Sequence, residues 1–315
     1  MMKEGSSVGS ITTMEPSATS GRRQELQIAG TPTEAQLGVG AHGRLEPLFG
    51  QTVMIKYGGA AMEKPGLRDL FCRDIALVRT LGVRPVVVNG GRPQIDRLMK
   101  RLGKSPHFVG GLRVTDDETM DIVEMVLAGS INKEIVGAVS AHGGRAVGLC
   151  GGDAGLIRAD RHRHVLPDGR EIDLGRVGDV KVVNPEPLEL LQEHGFVPVL
   201  APLGIGPQGE LLNINADLVA GDVAAALGAV KVIFLSDVPG IRGRDGRLLR
   251  RVTLSELDTL TREGVIEGGM LPKVEACARA LKGGAGAAYI VDGRLPNALL
   301  LKLFTHTGLG TEIAL

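Results

Sequence analysis

From residue 52 onward the chain repeats one pattern: a short unbroken β-branched run, often closed by glycine, then a stretch with helical spacing. TVMIK (52–56) runs into Gly58-Gly59, and RPVVVN (84–89) runs into Gly90-Gly91. RAVGLC, FVPVLAPL, VKVIFLSD and AAYIVD read as further strands. The spacing predicts helices around 66–81, 93–102, 254–263 and 270–283, and another in NADLVAGDVAAALGA. It predicts one long helix through DDETMDIVEMVLAGSINKEIVGAVSAHGG, where Met120, Val123, Val126 or Leu127, Ile131 and Ile135 recur on one face. HVLPDGREIDL reads as a hairpin turning at Asp168-Gly169. Strands that are apolar at every position are buried on both faces. The expected fold is therefore α/β: an open, mainly parallel sheet sandwiched between helices. Such sheets bind ligands beyond the carboxyl ends of their strands. That places function at Lys56-Tyr57-Gly58-Gly59, Asn89-Gly90-Gly91 and Ser236-Asp237.

Charge and composition narrow the function. Lys+Arg 36 balance Asp+Glu 36, which removes the long-range pull toward polyanions and argues against nucleic acid as a partner. Aromatic residues are 3% and Trp is absent, so stacking platforms for single strands lack material. Cys72, Cys150 and Cys277 are far apart and odd in number, which fits a reducing, cytoplasmic setting rather than a disulfide framework. No apolar run approaches the ~20 residues of a bilayer span. Residues 1–48 are polar, aperiodic and broken by Gly38, Gly40, Gly43 and Pro47, and read as a disordered or weakly helical extension.

Three nucleotide-like strings fail on context. Gly38-x-Gly40-x-x-Gly43 has no strand before it and no helix after it. Gly204-x-Gly206-x-x-Gly209 contains Pro207 and is followed by the strand-like GELLNI, so a hairpin loop is the better reading. Gly103-Lys104-Ser105 would need glycine at 98, which is Leu98. His162 and His164 could share a strand face and bind metal, but RADRHRHV reads more simply as a solvated, charged turn.

Five strings keep a chemical meaning. Lys56 ends an apolar strand just before Gly58-Gly59, where bare backbone N–H groups can approach a phosphate. A snorkelling surface lysine is the plain alternative. Asn89-Gly90-Gly91-Arg92-Pro93 leads from strand to helix N-terminus, which suits an anion. Arg113, beside Gly110-Gly111, can clamp a carboxylate or simply lie on the surface. In Asn213-Ile214-Asn215-Ala216-Asp217 either asparagine can begin a helix, and Asp217 can cap it or hold two lysines. Gly268-Gly269-Met270-Leu271-Pro272-Lys273 opens a helix with a cation in its first turn, where the helix dipole opposes it unless an anion binds.

Together, and in this order from about Thr52 to Leu315, these strings resemble the amino-acid kinase family, and within it the acetylglutamate kinases. IKYGGAAM, GGLRVTDDETMDIVEMVLAGSINKEIV, NINAD, SDVPGI and GGMLPKVEA carry the resemblance. It implies phosphoryl transfer from ATP to the γ-carboxylate of N-acetyl-L-glutamate, the second step of arginine biosynthesis. It also implies that Lys56 and Lys273 contact the transferring group and that Asp217 orients both. Gly90, Gly91, Arg113 and Asn213 would hold acetylglutamate. Gly58, Gly59, Ser236, Asp237, Gly240, Gly269 and Met270 would border the nucleotide, with Mg²⁺ between phosphate oxygens. Residues 49–209 would form the substrate lobe and 210–315 the nucleotide lobe.

The sequence also departs from the family. Asn89 and Arg92 stand where a His and a third Gly are usual, and Arg92 would be strained if that position needs a positive φ or close packing. Tyr289 and Lys302 stand where arginine-inhibited members carry a His and a Glu. Lys302 should repel arginine, and the glycines at 38, 40 and 43 suit no long N-terminal helix, so a homodimer without strong arginine feedback is expected. The alternatives are a carrier-linked aminoadipate kinase and a non-catalytic regulatory homologue.

Overall fold

A computed structural model describes residues 42–166, 168–305 and 307–315. In chain order the strands are β1 (Thr52–Tyr57), β2 (Arg84–Asn89), β3 (Phe108–Val109), β4 (Leu112–Arg113), β5 (Ala146–Cys150), β6 (Ile157–Val165) and β7 (Glu171–Val183). They continue as β8 (Val197–Ala201), β9 (Leu203–Ile205), β10 (Leu211–Asn213), β11 (Lys231–Ser236), β12 (Arg251–Thr253), β13 (Ala288–Asp292) and β14 (Thr311–Ala314). The main helices are α1 (Pro65–Thr80), α2 (Arg92–Arg101), α3 (Asp117–Glu124), α4 (Asn132–Ala141), α5 (Glu186–Glu193), α6 (Ala216–Ala226), α7 (Leu254–Arg262), α8 (Leu271–Lys282) and α9 (Ala298–Phe304).

Eight strands form one sheet in the order β12-β14-β13-β11-β1-β2-β8-β5. All neighbours are parallel except β13 and β14. The unbroken apolar runs are explained by where alternate side chains go. Val53, Ile55, Val87 and Ile233 enter the core on one face, and Met54, Val86, Val88, Val232 and Phe234 enter the core on the other. A strand buried on both faces needs an apolar residue at every position. β1 sits between β2 and β11, so the loops after these three strands open at one edge.

Two local expectations are corrected. The long helix is not uniformly α: α3 passes into a π-helical segment, Met125–Ile131, before α4. Asn132, fully buried, follows it and donates from Nδ2 to the Val199 carbonyl at 2.8 Å and to Asn89 Oδ1 at 3.3 Å. RADRHRHV is not a loop but part of β6, which pairs with β7 and closes a four-stranded barrel with β9 and β10. His162 pairs with Asp179 Oδ2 at 2.8 Å, and the His162 and His164 rings lie 5.9 Å apart. The Gly204–Gly209 string is a hairpin between β9 and β10, as its sequence suggests. The nucleotide-like string at Gly38 and Gly40, and most of the proposed extension, lie outside the described residues. His42–Leu45 and Glu46–Leu48 form two short helical turns at its end.

Candidate active site

Lys56 is the penultimate residue of β1 and is 8% exposed. A Cβ at position 58 would lie 2.9 Å from Lys56 Nζ, so a side chain there would push the ammonium group aside. Gly90, at the end of the neighbouring strand, packs in turn against Gly58. Gly59 has φ +69, a left-handed conformation that glycine adopts freely, and it faces Asp237 after β11. Ser236, buried, donates from Oγ to Asp237 Oδ1 at 3.2 Å.

Asp217 enters from α6. Asn215 is the N-cap, and its Oδ1 accepts from the backbone N–H groups of Asp217 at 2.8 Å and Leu218 at 3.3 Å. That settles which asparagine begins the helix and leaves the Asp217 carboxylate for other partners. Lys56 Nζ lies 2.9 Å from its Oδ1, and Lys273 Nζ donates to its Oδ2 at 2.9 Å. Lys273 comes from the first turn of α8. The two helices approach closely because Gly221 has no side chain: a Cβ there would lie 2.5 Å from the Ala276 carbonyl oxygen.

Burial and charge act against each other in this cluster. Burial pulls the Lys56 ammonium below its ordinary range, Asp217 opposes that, and Lys273 adds to it. Burial alone would raise the Asp217 carboxyl, but Lys56 and Lys273 outweigh it and hold it below the usual carboxylate range. Two cations and one anion leave a net positive charge among groups that water scarcely reaches. Such a site is built to receive a more negative guest.

Arg113, in the hairpin of β3 and β4, is buried. Its Nη2 donates to Asp96 Oδ1 at 2.6 Å and its Nη1 to Met99 Sδ at 3.1 Å. Thr115 Oγ1 donates to the Arg113 carbonyl at 2.8 Å and accepts from Asn213 Nδ2 at 3.2 Å, which ties Arg113 to the end of β10. Gly91 is the N-cap of α2 and packs against Leu127 and Ile131 of the π-helical segment. Gly269 is open, and Met270 packs on the second core. Gly240 has a packing reason: with φ +140, a Cβ would lie 2.5 Å from Thr311 Oγ1. The structure thus brings Lys56, Asp217, Lys273, Gly58 and Gly90 together, joins Gly59 to Asp237, and links Arg113 to Asn213. Asp96 and Thr115 were not legible as neighbours of Arg113, because their pairings are made only in the fold.

A family model described as the amino acid kinase family matches residues 51–292. The chain belongs to that family. Acetylglutamate kinase from Stutzerimonas stutzeri strain A1501 is 50% identical over 269 residues, 84% of this chain and 90% of that protein. Acetylglutamate kinase from Syntrophus aciditrophicus strain SB is 47% identical over 290 residues, 90% of this chain and 98% of that protein. Among solved structures, N-acetylglutamate synthase from Neisseria gonorrhoeae, complexed with coenzyme A and N-acetyl-glutamate, matches with a TM-score of 0.76 and 26% identity. That match covers 88% of this chain and 62% of the synthase chain.

For an amino acid kinase family member, the departures are accommodated without strain. Arg92 begins α2, and it is not among the described non-glycine residues with positive φ, which are Ala154 and Asn297. Asn89 is fully buried, donates to the Leu127 carbonyl at 3.2 Å, and accepts from Asn132. Lys302 Nζ lies 4.0 Å from the Tyr289 ring centroid and donates to the Leu309 carbonyl at 3.1 Å. Burial and the cations Lys231, Arg44 and Arg250 lower Lys302 to about 8, against the pull of Glu312.

Proposed function

We propose that this chain transfers a phosphoryl group from ATP to the γ-carboxylate of N-acetyl-L-glutamate, giving N-acetyl-L-glutamyl 5-phosphate for arginine biosynthesis. The observation that carries this reading is the Lys56–Asp217–Lys273 cluster at the carboxyl edge of the sheet, with both ion pairs at 2.9 Å. The names of relatives 47–50% identical supply the substrate.

The chemistry needs no general base, because a carboxylate is already ionised at neutral pH. The barrier is electrostatic: one anion must approach another. Lys56 and Lys273 offset that repulsion at the transferring group, and Asp217 holds both ammonium groups in place. Gly58 and Gly59 leave backbone N–H groups open to phosphate oxygens. Gly90, Gly91, Arg113 and Asn213 position the acylamino acid, while Ser236, Asp237, Gly240, Gly269 and Met270 border the nucleotide. Among the described residues no group of three or more His, Cys, Asp or Glu side chains could cage a metal. Mg²⁺, when bound with the nucleotide, would supply charge neutralisation at the phosphate oxygens. Residues 49–209 serve the acylamino acid and 210–315 the nucleotide. The working form is a cytoplasmic homodimer; all three cysteines are free, and no described helix is long and apolar enough to cross a membrane.

The test is ATP-dependent ADP release with N-acetyl-L-glutamate, glutamate, aspartate and N-acetyl-aminoadipate offered separately. Turnover selective for N-acetyl-L-glutamate is expected. Preference for the aminoadipate compound would move the substrate class. ATP binding without turnover of any acid would leave a regulatory homologue.

A further inference from the structure

We propose that Arg92 is a specificity-determining residue that, with Arg113, holds the substrate carboxylate that is not phosphorylated. This rests on the phosphoryl-transfer reading above and deepens it. An acylated dicarboxylic amino acid brings two carboxylates. One must lie by Lys56 to react, so the other needs a cation elsewhere.

Arg113 alone is a poor receptor for it. Its guanidinium already donates to Asp96 at 2.6 Å and to the Met99 sulfur at 3.1 Å. An incoming carboxylate would meet a neutral ion pair and the repulsion of Asp96. Arg92 restores the missing charge. It lies four residues before Asp96 on α2, hence on the same helix face. Its guanidinium carbon lies 4.1 Å from the Phe108 ring centroid, and that of Arg113 lies 4.8 Å from the same centroid. One aromatic ring therefore gathers both cations at the hairpin. Arg92 is exposed, and among the described residues no carboxylate or carbonyl accepts from its side chain. Its planar fork of donors is open for a bidentate partner.

The helix end adds to the case. Arg92 stands in the first turn of α2, which has no acidic residue, and the N-cap Gly91 offers no side-chain acceptor. A cation there faces the positive end of the helix dipole, and a bound carboxylate would relieve both. Gly91 and Gly90 connect this turn directly to the Gly58–Lys56 contact, so the two carboxylates of one small molecule are served by one continuous segment.

The experiment uses the full chain, Arg92→Gln and Arg92→Lys, with N-acetyl-L-glutamate and its α-carboxamide analogue. The wild type should prefer the acid strongly. Arg92→Gln should lower kcat/KM for the acid about tenfold or more, mainly through KM, because a charge-assisted hydrogen bond is lost. The amide should be hardly affected, so discrimination between acid and amide collapses, while Arg92→Lys keeps part of it. Raising ionic strength should weaken acid binding less in Arg92→Gln than in the wild type. Equal losses for acid and amide, or none for either, would overturn the role of Arg92. If the wild type turns over neither compound, the phosphoryl-transfer reading fails instead. Calorimetric binding of the acid to wild type and Arg92→Gln then still decides whether Arg92 holds a carboxylate.

Discussion

Asp217 carries one negative charge between two ammonium groups, and its neighbours give it no other work. Replacing it with Asn leaves two buried cations facing each other. We expect Asp217→Asn to reduce kcat by about 10²–10³, the scale for losing one preorganised electrostatic contact, as read by steady-state assay. The same change should cost about 3–5 kcal/mol of stability in denaturant titrations, because a buried pair is broken on one side only. Lys56 sets the alkaline limit. Its folded pKa lies below the ordinary 10.5, and the protonated form neutralises phosphate. Activity should therefore fall with rising pH before an ordinary lysine would lose its proton, and a pH profile with the limb at or above 10.5 would contradict this. Much at this scale was legible in the sequence. Lys273 stood where the helix dipole opposes a cation and Lys56 at a strand end before two glycines, whereas Asp217, in a first turn that favours an acid, read equally as a cap until the fold set it between the two lysines. Asp96 carried no such signal, because an acid on an amphipathic helix reads as surface until the hairpin places Arg113 against it.

The elements deliver these charges by close packing. α6 carries Asp217 and α8 carries Lys273, and the helices meet where Gly221 faces the Ala276 carbonyl. That neighbour is backbone and cannot rotate away. Gly221→Ala should separate the helices, cost about 1–3 kcal/mol from overpacking, and lower kcat without changing any site residue. Unfolding curves and rates from one preparation would check both effects. The main strands and helices followed from periodicity because burial on two faces or on one leaves different patterns in sequence. The π-helical segment Met125–Ile131 did not, since its apolar residues keep helical spacing while Asn132 and Asn89 fix the backbone through buried hydrogen bonds. The barrel strand β6 was missed because RADRHRHV is mostly charged, with Ala159 its one buried residue, and because only the fold sets it between β7 and the sequence-distant β9.

The whole molecule should show its own pH dependence. Asp74 on α1 is 2% exposed, and burial pushes its carboxyl up to about 7 against the pull of Arg73. A carboxyl whose folded pKa is raised favours folding in its protonated form. Its contribution is complete below the unfolded value of 3.8 and is lost as pH rises through about 7. Asp74→Asn should therefore raise stability at pH above about 7 by up to ~4 kcal/mol and flatten the decline of stability between the two values, as followed by urea unfolding across pH. At the same scale, a sizing column should show a dimer, and arginine should inhibit weakly if at all, because Lys302 and its cationic neighbours meet a guanidinium with like charge. The most direct measurement of the central claim is to trap the product with hydroxylamine and identify it by mass spectrometry. With ATP and N-acetyl-L-glutamate, the wild type should yield the γ-hydroxamate, and Lys56→Ala should yield almost none. A wild-type protein that binds ATP yet forms no acyl phosphate on any acid, or a Lys56→Ala variant that forms it undiminished, would contradict it.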